Sequence, residues 1–338
     1  MEPTAAASAD LEVQMERSFG GLGVEVDREI PRIDLSNFDE RLPEIDDAIW
    51  QASVEVGFFQ VTNHGIDAIE IDRAFAHAES FFALELAHKH DVARPANSNS
   101  GWESMTQKRP STGTLDQKES YQITTSQMDE LGLWPDADLV AGFRSDLTSF
   151  EQANWTLAMK LLGCFARKLG FEDDFFNAAH DPASDGYQAT LRLLHYFALT
   201  PEEAATGLWR AGAHTDYDCL TLLHQRPGQR GLQVCPGAGA DPAARNGAPL
   251  AWTSVEPTRG TITCNIGDML KRWSDDQLKS TLHRVRTPTA AEDLGARYSI
   301  AFFAQANREA VIQGPGQRYE AISAADYLQQ RIDANFVV

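Results

Sequence analysis

Residues 213–223 read AHTDYDCLTLL, and this stretch decides both the fold and the site that we predict. Its β-branched and aromatic residues are typical of a β-strand. Residues two apart in a strand point to the same side, so His214 and Asp216 would project together, about 6.5 Å apart at Cα. An imidazole and a carboxylate placed in this way supply two of the ligands of a metal site.

A third ligand can be sought among the nine histidines of the chain, of which His224 and His283 follow this stretch. His224 stands beside a turn signal, whereas His283 lies in residues 280–285, STLHRV, another strand-like run. We therefore predict that His214, Asp216 and His283 bind Fe(II). Two imidazoles and one carboxylate on one face leave the opposite coordination positions open for substrate and O2, as in non-haem iron oxygenases.

A third strand-like run, RYSIAFF at residues 297–303, carries a candidate carboxylate site. Arg297 and Ser299 are two residues apart, so both would face the same way. A guanidinium binds a carboxylate through two parallel hydrogen bonds, and a neighbouring hydroxyl adds another donor. A metal triad with such an anchor is the set of groups needed to hold iron and 2-oxoglutarate.

The sequence resembles the isopenicillin N synthase-like family of Fe(II)/2-oxoglutarate-dependent dioxygenases. A single His-x-Asp would be weak evidence, but the matching segments cover most of the chain in the order in which the family has them. They are IPRIDL at 30–35, VGFFQVTNHGI at 56–66, DQKESY at 116–121, HTD at 214–216, GLQV at 231–234, NIGD at 265–268, LKSTLHRV at 278–285 and RYS at 297–299.

The resemblance implies that Arg297, Ser299 and Tyr196 hold the C5 carboxylate of 2-oxoglutarate, and that Fe(II) and O2 complete the reaction. Its product would be succinate and CO2, with a small-molecule metabolite hydroxylated, desaturated or cyclised. The chain departs from the family pattern beside Tyr196, because Leu194 stands where an Asn is frequent and Phe197 where a Pro is frequent.

Arg192 shares the inward face of this strand with Leu194 and Tyr196, because all three lie at period two. A buried guanidinium needs an anionic partner. Three roles stay open at this point: a second contact to 2-oxoglutarate, a contact to an acidic group of the primary substrate, or an ion pair with an acidic residue at the barrel rim.

The order of patterns predicts a mainly β protein with flanking helices. We expect a flexible extension over 1–28, an N-terminal α/β region over 29–185, a double-stranded β-helix (jelly-roll, cupin-like) core over 186–310 and a C-terminal helical segment over 311–338. Hydrophobic spacing predicts helices over 42–56, 69–84, 147–169 and 323–334, and a strand over 187–198, whereas the Gly-, Ser-, Thr- and Pro-rich residues 91–147 predict loops.

The composition of the chain argues against some classes of binding partner. The chain has 338 residues and a net charge of −20, which opposes binding to the phosphates of a nucleic acid. Its four cysteines form no CxxC pair, its first residues do not resemble a signal peptide, and no apolar run is long enough to span a membrane. We therefore expect a cytoplasmic monomer or weak homo-oligomer that binds neither nucleic acid nor membrane.

Two alternative functions remain at this stage. A non-haem iron oxidase of the same fold would take no 2-oxoglutarate, and its Arg-x-Ser pair would hold the carboxylate of the substrate itself. A metal-bound cupin-like binding protein would have no turnover at all. The complete predicted triad and anchor argue against the second alternative.

Overall fold

The computed structural model describes residues 23–96, 98–107, 115–205, 209–236, 249–289 and 291–336. Two sheets dominate these residues. The larger sheet has eight strands in the order β2-β3-β11-β8-β13-β6-β5-β4. Its strands are β2 (Arg32–Asp34), β3 (Phe58–Thr62), β4 (Gly101–Ser104), β5 (Lys118–Ile123), β6 (Thr190–Tyr196), β8 (Leu220–Gln225), β11 (Ile262–Ile266) and β13 (Arg297–Ala304).

The smaller sheet has five strands in the order β1-β10-β9-β12-β7. Its strands are β1 (Val24–Glu25), β7 (Ala211–His214), β9 (Leu232–Cys235), β10 (Ala251–Ser254) and β12 (Leu282–Val285). A separate hairpin pairs β14 (Val311–Ile312) with β15 (Ile322–Ser323).

The inner faces of the two sheets pack on each other, as predicted for a jelly roll. Leu194 and Ala301 of the larger sheet share one apolar cluster with Ala211 and Val285 of the smaller sheet. Phe58 of β3 packs in a second cluster with residues of β9. The side chains between the sheets therefore alternate with outward-facing residues along each strand, which is the sandwich arrangement.

Helices cover the outer face of the larger sheet. The helices of the described residues are α1 (Leu42–Glu55), α2 (Ala68–Phe82), α3 (Leu86–Asp91), α4 (Thr125–Met128), α5 (Phe143–Leu169), α6 (Phe175–Ala179), α7 (Pro201–Ala204), α8 (Asp268–Trp273) and α9 (Ala324–Phe336). Of these, α1, α2 and α5 pack on strands of the larger sheet. The longest, α5, has its apolar stripe in the main core and ends at Gly170, whose positive φ of 79° suits glycine. Among the described residues no helix combines the length and apolarity needed to cross a membrane.

The helix predictions are confirmed within a few residues at their ends. The last helix begins at Ala324, where Ser323 caps it: the Ser323 hydroxyl oxygen accepts a 3.0 Å hydrogen bond from the Asp326 backbone N–H. The predicted strand over 187–198 is β6, and the strands predicted around His283 and Arg297 are β12 and β13.

The prediction of loops over 91–147 is wrong where β4 and β5 extend the larger sheet. Strand β5 lacks hydrophobic alternation because charged side chains are buried on both of its faces. Lys118 pairs with Asp116 at 3.0 Å on one face, and Glu119 pairs with Lys89 at 3.0 Å on the other. Residues 108–114 of this region lie outside the described residues.

The predicted region boundaries at 29, 186 and 311 stay predictions, but two details differ from the expected arrangement. The N-terminal region contributes β2 to β5 to the same sheet as the core strands, so it continues the barrel sheet. Within the predicted extension over 1–28, residues 1–22 lie outside the described residues, and Val24–Glu25 pairs with β10 in parallel. That part is therefore ordered in the sheet.

Candidate metal and co-substrate site

The continuous strand predicted over 213–223 is wrong in one respect. Strand β7 ends at His214 and β8 begins at Leu220, so Asp216 lies in a loop between them. Side-chain and tertiary hydrogen bonds replace the strand ladder here: the Asp216 carbonyl accepts from the Asp268 backbone N–H at 2.8 Å, and the Thr221 hydroxyl donates to the Asp216 carboxylate at 2.7 Å.

The structure nevertheless brings the three predicted metal ligands together. His214 and His283 are directly paired across β7 and β12, with ring centroids 4.3 Å apart. The Asp216 Oδ1 atom lies 3.9 Å from His214 Nε2 and 3.7 Å from His283 Nε2. One ligand atom from each residue falls within 4.8 Å of the others, and this is the metal-competent cluster found in the described ranges.

The hydrogen bonds of the two imidazoles leave the correct nitrogen for a metal. His214 Nδ1 lies 2.7 Å from the Gly212 carbonyl oxygen, and His283 Nδ1 lies 3.1 Å from that of Thr281. A carbonyl oxygen only accepts, so each Nδ1 carries a proton, and each Nε2 is the ring nitrogen that faces Asp216. Outer hydrogen bonds of this kind fix the tautomer and orientation of metal-binding histidines.

The carboxylate is oriented in the same way. Asp216 Oδ2 accepts hydrogen bonds from the Thr221 hydroxyl at 2.7 Å and from Asn265 Nδ2 at 2.9 Å. These donors occupy one oxygen and leave Oδ1 directed at the two imidazoles. The donor set of two neutral imidazoles and one carboxylate suits Fe(II), so these residues fit the predicted metal.

The loop that carries Asp216 is braced from the C-terminal helix. Asp268 accepts a 3.1 Å hydrogen bond from the Thr215 hydroxyl and forms a 2.8 Å ion pair with Arg331 of α9. The side chains of Arg331 and Asp268 are almost fully buried, at 3% and 6% exposure. Both charges are almost fully removed from water, so breaking this ion pair should be strongly destabilising and the pair fixes the loop.

The predicted anchor residues also converge. Arg297 pairs with Tyr196 across β13 and β6, and its guanidinium carbon lies 4.8 Å from the Tyr196 ring centroid. Its hydrogen bonds go to the Ser299 hydroxyl at 3.3 Å and the Gln229 carbonyl at 3.2 Å. Arg297 is 1% exposed, and no acidic side chain of the described residues forms an ion pair with it. Burial lowers the pKa of Arg297, because removal from water disfavours the charged form of the guanidinium.

Arg192 has a protein partner. Its guanidinium forms a 2.8 Å ion pair with Glu103, which also accepts from Arg94 Nε at 2.8 Å and from Gln122 Nε2 at 3.2 Å. Desolvation opposes ionisation of Glu103, but Arg192 and Arg94 outweigh it and hold the pKa of this carboxyl below its usual range. The ion-pair role left open for Arg192 is therefore present in the structure.

Register places Arg192 at the metal end of the barrel. Ala301 of β13 pairs with Arg192 on one side and with Leu223 of β8 on the other. Leu223 is two residues along β8 from Thr221, which hydrogen-bonds the Asp216 carboxylate. Four residues of extended strand, about 13 Å, separate Arg192 from the anchor residue on the same strand. Arg192 therefore lies far from the anchor and closer to the space in front of the triad.

Sequence reasoning missed the residues that orient the site: Thr221, Asn265, Asp268 and Arg331 around the metal loop, and Glu103 opposite Arg192. Asn265 and Asp268 belong to the NIGD run at 265–268, so that run carried a usable signal. The other candidate ligand, His224, is buried behind the sheet with its Nε2 2.7 Å from the Asn154 amide oxygen. His64 lies in the turn after β3, where its Nδ1 accepts a 3.2 Å hydrogen bond from the Ile66 backbone N–H.

Comparison with known families gives two matches in chain order. Residues 30–137 match the family described as "non-haem dioxygenase in morphine synthesis N-terminal", and residues 188–306 match the "2OG-Fe(II) oxygenase superfamily".

Individual proteins are similar to this chain in sequence or structure over most of its length. Proline hydroxylase buaE of Petromyces alliaceus is 31% identical over 89% of this chain and 95% of its own length. The 2-oxoglutarate-Fe(II) type oxidoreductase hxnY of Emericella nidulans is 31% identical over 81% of this chain and 79% of its own. The crystal structure of a full-length Neurospora crassa protein in complex with alpha-KG and thymine superimposes with a TM-score of 0.76 at 33% identity, covering 91% of this chain and 97% of that one.

Proposed function

The chain belongs to the 2OG-Fe(II) oxygenase superfamily, and from this premise we propose that His214, Asp216 and His283 bind its Fe(II) while Arg297, Ser299 and Tyr196 hold its 2-oxoglutarate. The enzyme is a 2-oxoglutarate-dependent dioxygenase that uses Fe(II), 2-oxoglutarate and O2 on a small molecule. The observation that carries the assignment is the convergence of two Nε2 atoms and one carboxylate oxygen within 4.8 Å.

Each group of the chain has a definite task in this proposal. His214 and His283 offer unprotonated Nε2 atoms, and Asp216 offers Oδ1, because their other polar atoms are already occupied. Arg297 and Ser299 bind the distal carboxylate of the co-substrate and so direct its keto-acid end toward the triad. When bound, the iron supplies oxidative decarboxylation of 2-oxoglutarate by O2, which gives succinate, CO2 and an oxidant for a C–H bond.

The wall around Arg192 supports a small polar substrate. Arg192 and Gln122 supply donors, and Glu103 supplies acceptors, in one hydrogen-bonded network at the metal end of the barrel. A ligand that carries both donors and acceptors, such as a pyrimidine base or an amino acid, would match such a wall. Thymine, which is bound in the Neurospora crassa structure, and proline, suggested by the name of buaE, are therefore the first compounds to test.

Succinate formation tests this proposal directly. Purified protein with Fe(II), 2-oxoglutarate and O2 should form succinate several-fold faster with its substrate present than without it, because substrate binding couples decarboxylation to oxidation. Thymine, proline and close analogues would be screened by measuring succinate together with oxidised product. Product that forms without succinate would contradict the role of 2-oxoglutarate and favour the oxidase alternative.

We expect Arg192→Leu to raise the KM for the primary substrate by about 10- to 100-fold, since a lost charged hydrogen bond costs about 1.5–3 kcal/mol. The KM for 2-oxoglutarate should stay unchanged, because Arg192 lies far from Arg297. Steady-state kinetics with the substrate found in the succinate screen measures both constants.

Arg94→Leu is the matched control for this variant, because Arg94 contacts the same Glu103 from the more exposed side. A raised KM for 2-oxoglutarate alone would instead assign Arg192 to the co-substrate. Unchanged kinetic constants with a lowered melting temperature in both variants would leave only the structural ion pair.

The proposal places this enzyme in a reducing cytoplasm as a monomer or weak homo-oligomer that binds no nucleic acid. All four cysteines are buried free thiols, which is usual for such a compartment. The net charge of −20 supports the expectation about nucleic acids.

A further inference from the structure

A cavity lies behind the proposed co-substrate anchor. It has a volume of about 350 Å³ and is lined by the β8–β9 turn at 228–231 and by residues of 286–288 and 292–297. The β8–β9 turn follows the Gln225 end of β8, whereas the Asp216 loop precedes the Leu220 end, so the cavity is at the end of the barrel opposite the metal triad. Arg297 lines its inner wall.

Cations dominate this cavity although the chain as a whole is acidic. Four arginines line it, against Glu292 and Asp293. Two of the arginines already have partners: Arg286 pairs with Glu292 at 2.6 Å, and Arg230 pairs with Glu256 at 2.9 Å. The other two are Arg210 and Arg297.

Arg210, like Arg297, forms no ion pair with an acidic side chain in the described part of the chain. It is 4% exposed, and its one hydrogen bond in the described residues runs from a terminal nitrogen to the Gly295 carbonyl at 2.5 Å. Its Nε is buried without a hydrogen-bond partner in those residues, and no acidic side chain there forms an ion pair with it. A buried guanidinium in this condition is costly unless an anion meets it.

The positive charges around Arg210 outnumber the negative charge that the C5 carboxylate of the co-substrate would bring. Burial, followed by the neighbouring Arg297, lowers the pKa of Arg210 to about 10, although Tyr196 and Asp293 act in the opposite direction. The C5 carboxylate of 2-oxoglutarate brings one negative charge, which the proposed anchor assigns to Arg297. A second buried cation remains, and it borders an accessible cavity.

We propose that this cavity is a separate anion site, in which Arg210 binds a small oxyanion or carboxylate that enters from the end of the barrel opposite the metal triad. Anion binding itself does not depend on the proposed catalytic function. Its effect on the enzyme does, because an anion beside Arg297 reduces the positive potential that attracts 2-oxoglutarate. Occupancy should therefore weaken 2-oxoglutarate binding, and 2-oxoglutarate should weaken anion binding by the same factor.

Sulfate is the probe for this site. Isothermal titration calorimetry of the full chain, loaded anaerobically with Fe(II) and held at constant ionic strength with sodium chloride, should show saturable binding of one sulfate. Sulfate at saturation should raise the Kd for 2-oxoglutarate several-fold. Arg210→Met should weaken sulfate binding at least about tenfold.

Arg230→Met is the matched control, since Arg230 lies on the same wall but is exposed and paired, and it should change sulfate binding less than about twofold. Absence of saturable sulfate binding to the wild-type protein would overturn the proposal even if Arg210→Met fails to fold. Unchanged sulfate binding in a folded Arg210→Met would also overturn it.

A loss of 2-oxoglutarate affinity in Arg210→Met, with no sulfate binding to the wild type, would assign Arg210 to the co-substrate itself and so refute a separate site. Succinate formation measured in parallel separates the two proposals. An active enzyme that binds no sulfate would remove the anion site alone.

Discussion

His214→Ala, Asp216→Ala and His283→Ala are each expected to bind iron at least about 100-fold more weakly than the wild-type protein, because each change removes one of three protein ligands. Loss of Asp216 also removes the only negative charge among them. Metal analysis after anaerobic loading with Fe(II) and gel filtration measures the effect without relying on turnover.

His224→Gln provides the control for these variants, because His224 is also a histidine removed from water, at 1% exposure, but hydrogen-bonds Asn154 on the far side of the sheet. It should keep its iron. Asn265→Ala should lie between the two extremes, about 10- to 100-fold weaker, since Asn265 only orients the Asp216 carboxylate. Full iron retention in any two of the three ligand variants would refute the assignment.

The second large effect is expected at the anchor. Arg297→Gln removes the charge and the paired donors that we propose for the distal carboxylate, and leaving that carboxylate buried without its partner would cost about 2–5 kcal/mol. The affinity for 2-oxoglutarate should therefore fall tens- to thousands-fold. Anaerobic titration of the Fe(II)-loaded protein, followed by the visible absorption of the chelated keto acid, gives the dissociation constant.

Ser299→Ala serves as the graded comparison, because it removes one neutral donor and keeps the guanidinium. Its effect should be near tenfold or less. Iron binding should be normal in both variants, since neither residue contacts the triad. An Arg297→Gln protein that binds 2-oxoglutarate as tightly as the wild type would show that the co-substrate is held elsewhere.

The sequence predicted the convergence of His214, Asp216 and His283 better than it predicted the backbone that carries them. His214 and Asp216 were assigned to one strand because the residues around them have high β-propensity. In the structure the strand stops at His214, and Asp216 faces the same space from a loop held by Thr221 and Asp268. Local propensity cannot show such tertiary hydrogen bonds, and they decide where the strand ends.

Strands β4 and β5 could not be predicted from periodicity, because Glu103, Lys118 and Glu119 are buried in them beside apolar residues. Lys118 and Glu119 are adjacent and point to opposite faces, and each is neutralised by a different partner. The pairing of Arg192 with Glu103 spans 89 positions of the sequence. Only the folded chain brings such residues together, so the polar wall at the metal end lay beyond sequence reasoning.

The Asp268–Arg331 ion pair also constrains how this protein can diverge or be recombined. The two residues are far apart in the sequence but share one buried contact behind the metal loop. The effects of substituting the two residues on stability should not be additive, so a substitution at one position should be tolerated only with a matching substitution at the other. In a chimera that replaces α9 with the corresponding helix of a relative, the loop that carries Asp216 will stay in place only if the new helix has a cation at position 331. When chimeric oxygenases are made from this protein, positions 268 and 331 should therefore be exchanged together.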